Sequence, residues 1–148
     1  MQEEKPGKLV DRTVDYGLAV IDFCEKLPRN PAGRHIGDQL LRSATSVGAN
    51  YAEATEAEST ADFIHKLRIA MKELKESRVW LLFASRIKPC EQVAALRDES
   101  KQLVLMLGKS INTAVARSRG NQIKAEARCR SREKRSGARD WKSLATAF

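Results

Sequence analysis

The chain has 148 residues and a net charge of +8, long enough for one domain with a buried core. Three cysteines at wide, motif-free spacing argue against a disulfide framework or a zinc site and read as reduced thiols. The longest apolar runs, 79–84 and 103–107, are far too short to span a bilayer, and MQEEKPGKLVDR lacks a signal-peptide core, so a soluble cytoplasmic protein is expected.

The first helix is predicted over residues 8–27, where Val10, Val14, Leu18, Ile21 and Cys24 or Glu25 follow the helical period. Gly17 inside it costs about 1 kcal/mol relative to alanine, so a close approach to another helix is expected there. The connector PRNPAG then stops one helix and starts the next, with Asn30 as N-cap and Pro31 in the first turn.

The second helix is predicted over 32–57, with a core stripe of Leu40, Ala44, Val47, Tyr51 and Ala54. Beside it runs a polar line, Gln39, Ser43, Ser46, Asn50 and Glu53, with Arg42 one turn before Ser46. Such a line is either a solvated face or a hydrogen-bonded network at a subunit junction, in which every group needs a partner. Glu56 and Glu58 oppose the helix dipole and mark a boundary. Ser59 offers the next N-cap, with Asp62 three residues on in the manner of a capping box.

The third helix, predicted over 60–87, is the most informative stretch. Phe63, Leu67, Ala70, Met71, Leu74, Leu81 and Ala84 form one apolar stripe. Ile69, Glu73, Glu76, Trp80, Phe83 and Ile87 form a second line, and Arg68, Lys72 and Lys75, with Arg86, a third that is basic. Two apolar stripes on one helix imply packing inside the subunit and against a neighbour. Lys88-Pro89 ends the helix. The fourth, predicted over 91–117, carries a seam of Val93, Leu96, Ser100, Leu103, Leu107, Ile111 and Ala114, the pattern of bundle packing at shallow crossing angles. No segment alternates at period two. The expected class is therefore all-α, with a four-helix bundle over residues 1–116.

Beyond residue 116 the character changes. Residues 1–116 hold 17 basic and 16 acidic side chains, whereas 117–148 hold 10 and 3. This basic tail is expected to be partly disordered or a short helix over about 121–135, unable to stand alone without packing. Trp141, Leu144 and Phe148 could dock as a small apolar anchor. Arg117, Arg119, Lys124, Arg128, Arg130, Arg132, Lys134, Arg135 and Arg139 suit phosphate contacts without sequence readout, or serve as a solvated, solubilising segment.

Little else suggests chemistry. A di-metal bundle needs two Glu-x-x-His pairs; the chain has one Asp62-x-x-His65 and an isolated His35, so no metal and no cofactor is expected. Glu73 and Glu76 could be an acid and base pair, but no nucleophile or phosphate loop accompanies them. Pairing with Arg42, Lys72 or Arg78, within or between subunits, is the structural reading. Asn50 is either a register-setting interface residue or a ligand contact.

RSATSVGANYAEA followed by ADFIHKLRIAMKELKESRVWL resembles the four-helix-bundle proteins of the 23S rRNA intervening-sequence family. The motifs that carry the resemblance fall on Arg42, Ser46, Asn50 and Glu53, then Lys72, Glu73, Glu76, Trp80 and Leu81, and the likeness spans about Tyr16 to Val115. Ala54 departs from the glycine of many members. The resemblance implies an antiparallel up-down-up-down bundle assembling into a ring, usually a homopentamer, with no established chemistry. Its interface or polar network would comprise Arg42, Ser46, Asn50, Glu53, Ile69, Glu73, Glu76, Trp80 and Phe83. The leading expectation is a non-enzymatic homo-oligomeric scaffold that binds structured RNA or an RNA-associated protein. The alternatives are a protein adaptor without a nucleic-acid role and, from another class, a hydrolase or ligand-binding bundle using Glu73, Glu76 and Asn50.

Overall fold

The computed structural model describes the backbone over residues 6–145 and the side chains over residues 8–135. Four helices account for nearly all of it, and the described residues contain no strand: α1 (Pro6–Cys24), α2 (Pro31–Thr55), α3 (Thr60–Ile87) and α4 (Glu91–Ala145). Residues 1–112 form one compact unit and residues 113–148 a second, with α4 contributing to both.

Local chemistry sets the helix ends. Asn30 caps α2, its side-chain oxygen accepting from Gly33 N at 2.8 Å, and Pro31 occupies the first turn. Ser59 caps α3, accepting from Asp62 N at 3.1 Å. α1 stops three residues short of the expected end at 27. Lys26 N donates to Phe23 O and Leu27 N to Cys24 O, so the last turn tightens ahead of Pro28, before which helical backbone is disfavoured. α2 likewise ends at Thr55 rather than 57, where Glu56 leaves the helical conformation.

Contacts between helices run in opposite order along each pair. From α2 to α3 they pass from Glu53–Lys66 through Arg42–Glu73 to His35–Trp80. From α1 to α4 they pass from Lys26–Gln92 to Arg12–Glu99, the latter a two-point bond at 2.6 and 3.0 Å. All four helices feed one core. From α2 come Leu40, Ala44, Val47, Tyr51 and Ala54, from α3 Leu67, Ala70, Leu74, Leu81 and Ala84, and from α4 Val93, Leu96, Leu103 and Leu107. Each fully buried Leu contributes about 1.5–3 kcal/mol relative to exposure.

α1 does not bury its expected stripe. It turns Leu9, Thr13, Tyr16, Val20, Phe23 and Leu27 inward, a strict 4-3-4-3-4 line that carries the two large aromatics. Val14 and Leu18 are 45% and 54% exposed. Two apolar lines compete on this helix, and the one with more area to bury occupies the core.

The second unit also departs from expectation. In place of a helix ending at 117 followed by a partly disordered tail or a short helix over about 121–135, the backbone is helical through Ala145. Between 117 and 135 it has no proline and is rich in Ala, Arg, Lys, Glu and Gln, all strong helix formers. Arg130–Glu126, at 3.8 Å, supplies a pair with the glutamate one turn N-terminal to the arginine, the favourable orientation. Trp141, Leu144, Phe148 and Arg139 lie outside the described side chains.

Candidate functional site

Two surfaces bring together the residues singled out in the sequence. The first is the polar seam between α2 and α3. Arg42 donates to Glu73 at 3.3 Å and forms a second, close ion pair with Glu76. Trp80 Nε1 also donates to Glu76 Oε1, at 3.4 Å, and the Trp80 ring stands edge-on to His35 and tilted against Phe83, each 5.6 Å away. The carboxylates of Glu73 and Glu76 therefore answer to a guanidinium of the same chain. Two further residues of the α2 polar line are engaged within the chain: Asn50 donates to Ser46 O at 2.9 Å, and Glu53 takes Lys66. That last bond raises the Lys66 pKa, first through the hydrogen bond and then through the charge of Glu53.

Spacing legible in the sequence accounts for this seam. Arg42, Ser46, Asn50 and Glu53 climb one side of α2, while Ile69, Glu73, Glu76 and Trp80 climb the facing side of α3. Ile69, Glu73, Glu76 and Trp80 are half-buried, whereas Phe83 is 51% exposed. Sequence alone did not reveal that Arg42 binds both carboxylates at once, because it does not show which helices are neighbours.

The second surface is the basic helix after residue 116. Arg117, Arg119, Lys124, Arg128, Arg130, Arg132, Lys134 and Arg135 are all exposed. At 100° per residue, Arg117, Lys124, Arg128, Arg132 and Arg135 fall along one side and Arg119, Arg130 and Lys134 along another. Arg128, Ser131, Arg132 and Arg135 together line a shallow concavity. The helix thus arranges as a stripe what a disordered segment would scatter.

A third surface was only partly legible. Between α3 and α4 lies a groove in two adjoining parts, of about 660 and 190 Å³, which share Leu82 and Arg97. Its narrower part is ringed by Lys75, Arg78, Arg97 and Lys101. Sequence reading placed Lys75 on a basic line but had no means of adding Arg97 and Lys101 from the next helix.

Among the described residues no three His, Cys, Asp or Glu side chains converge as metal ligands, and no helix is long and apolar enough to cross a membrane. Among the described residues every buried side-chain nitrogen and oxygen is hydrogen-bonded: Tyr16 and Ser77 share a hydrogen bond of 2.8 Å in the core, and Ser77 donates to Leu74 O.

The family profile described as 23S rRNA-intervening sequence protein matches residues 8–109. Among solved structures, the chain is similar to a protein of unknown function from the S23 ribosomal protein family of Bacteroides thetaiotaomicron. The two are 31% identical, with a TM-score of 0.66 over 72% of this chain and 97% of that one. No curated protein matches. A profile match over most of the bundle, together with a structural relative at this identity, places the chain: it belongs to the 23S rRNA-intervening sequence protein family.

Proposed function

We propose that this protein is a non-enzymatic, cytoplasmic homo-oligomeric scaffold that binds structured RNA, or a nucleoprotein, through its basic C-terminal helix. Five copies is the number the family resemblance implies. The observation that carries the RNA part is the exposed stripe Arg117, Lys124, Arg128, Arg132 and Arg135. Cations at these steps along a helix meet a phosphate backbone without reading bases. Several such helices on one assembly would multiply weak contacts by raising the local concentration. The non-enzymatic part is supported by the engagement of Glu73 and Glu76 with Arg42, which leaves that pair suited to holding α2 against α3.

The test is fluorescence anisotropy with a structured RNA across a salt series. Wild type should show a steep linear fall of log affinity with log salt. Arg128→Ala, Arg132→Ala and Arg135→Ala together should reduce the slope by about 3, about one per side chain, and removal of residues 117–148 should abolish binding. Salt-insensitive binding, or binding that survives that deletion, sinks the RNA reading. The second reading, a protein adaptor, is favoured by the exposed Val79, Leu82 and Phe83 on α3. It predicts a co-purifying partner that persists after nuclease treatment and after the same deletion.

A further inference from the structure

We propose that the outer stripe of α1 in one copy docks in the α3–α4 groove of the next, which makes the self-contact head-to-tail. The proposal rests on the homo-oligomeric part of the function above and names the two faces involved.

The stripe is an apolar ridge with anionic edges. Val14 and Leu18 stand half in solvent, flanked by the exposed carboxylates of Asp11, Asp15, Asp22 and Glu25. None of these four makes an ion pair among the described residues. The groove is the complement, an apolar floor with cationic edges. Val79, Leu82 and Phe83 are each about half exposed in or beside it, and Val93 lines its wider part. Lys75, Arg78, Arg86 and Arg97 border it and make no ion pair among the described residues, while Lys101 is held by Asp98 at 2.9 Å. The lengths agree. Asp11 to Cys24 on α1 spans about 20 Å at 1.5 Å per residue, and Lys75 to Ile87 beside the groove about 18 Å.

Unpaired like charges gathered around one cleft repel, and an anionic occupant removes that cost. A phosphate backbone could supply the charge but would leave half-exposed Leu82 and Phe83 uncovered. An acidic helix with an apolar ridge satisfies both demands, and α1 of a second copy is such a helix. Because the two faces differ, the contact is heterologous, and repeated copies close into a ring or extend as a filament. Steering by opposite charge also fixes the register.

The experiment uses full-length chains in sedimentation velocity, with helical melts confirming that each variant is folded. Asp15→Arg with Asp22→Arg, and separately Lys75→Glu with Arg97→Glu, should each raise the concentration needed for assembly at least tenfold. All four substitutions in one chain should restore assembly, since both faces then carry reversed but complementary charge. If a reversed chain loses its helical melt, Asp15→Asn with Asp22→Asn, or Lys75→Gln with Arg97→Gln, replaces it, with the same weakening expected. A wild-type monomer overturns the oligomeric reading and this proposal together. Assembled wild type with variants of unchanged subunit number overturns the docking alone, as does failure of the fourfold variant to reassemble. Groove variants that keep their subunit number but lose RNA affinity would make the groove an RNA surface, and the docking would be rejected.

Discussion

A single hydrogen bond in the core shows how one polar pair sits among apolar neighbours. Tyr16 and Ser77 face each other across α1 and α3, both fully buried. Removing one partner is not equivalent to removing the other. In Tyr16→Phe the Ser77 hydroxyl still donates to Leu74 O, so the cost should be about 0.5–1.5 kcal/mol. In Ser77→Ala a buried phenol is left without its partner, and the cost should be about 1–3 kcal/mol. Urea unfolding of the two variants checks the order. Burial also pushes the Tyr16 phenol from 10.0 up to about 12, a rise only partly offset by Ser77 and Arg78, and pushes the Cys24 thiol from 9.0 up to about 11, with Asp38 adding to it. Both shifts favour the neutral form in the fold. Their contribution is therefore complete below the unfolded values and is lost as pH rises through the folded ones, between about 9 and 12. Stability should be flat through neutral pH and fall above 9, with a slope approaching about 1.4 kcal/mol per pH unit for each group. Tyr16→Phe should make the fall above 10 less steep, with Cys24 and with Tyr51, whose phenol pKa is also raised by burial, supplying the remainder. An alkaline profile that rises would contradict the assignment.

At the scale of an element, two helical glycines, Gly17 and Gly33, behave differently. Gly17 in α1 faces α2, but a methyl group there would lie 3.7 Å from Ala44 O and Thr45 Cα, ordinary contact. Helix propensity then governs, and Gly17→Ala should stabilise by up to about 1 kcal/mol. Gly33 in the first turn of α2 is different, because a methyl group would lie 1.9 Å from the backbone oxygen of Pro28. Backbone cannot move aside cheaply, so Gly33→Ala should destabilise by about 3 kcal/mol. Thermal melts of the two variants should move in opposite directions. The Arg42 seam belongs to the same scale. Arg42 is half-exposed, and exposed ion pairs contribute about 0–1 kcal/mol each, so the seam aligns α2 and α3 more than it stabilises them.

Across the whole chain, near-neutral charge in residues 1–116 conceals segregation. Carboxylates line the outside of α1 while cations gather around the α3–α4 groove, a distribution that steers association without changing the net charge. Among the described residues the core cluster runs from Leu9 to Leu107, with Ile111 packed against it. A chain ending at residue 116 should therefore keep a cooperative helical melt close to that of the full protein, even as it loses affinity for RNA. Loss of that transition on truncation would mean that the basic helix contributes to the folded core.

The four helices were legible from periodicity because each carries at least one apolar line at helical spacing that avoids charge. Caps at Asn30 and Ser59 were legible because short polar side chains before a helix have few other uses. α1 was misread for a physical reason: it carries two apolar lines, and only the neighbours that meet Tyr16 and Phe23 select between them. Past residue 117 only a short helix over about 121–135 was legible, because charge density suggested an otherwise unpacked segment, whereas the helix formers of 117–135 outweigh its Gly and Asn and the helix runs on through Ala145. By itself the sequence determined an all-α bundle with a basic segment over residues 117–148, since amphipathic period and net charge are properties of the linear chain alone. Which stripe of α1 faces water, which carboxylates Arg42 holds, and which cations from two helices ring a single groove were decided only by tertiary structure, since each depends on what lies across the interface between helices.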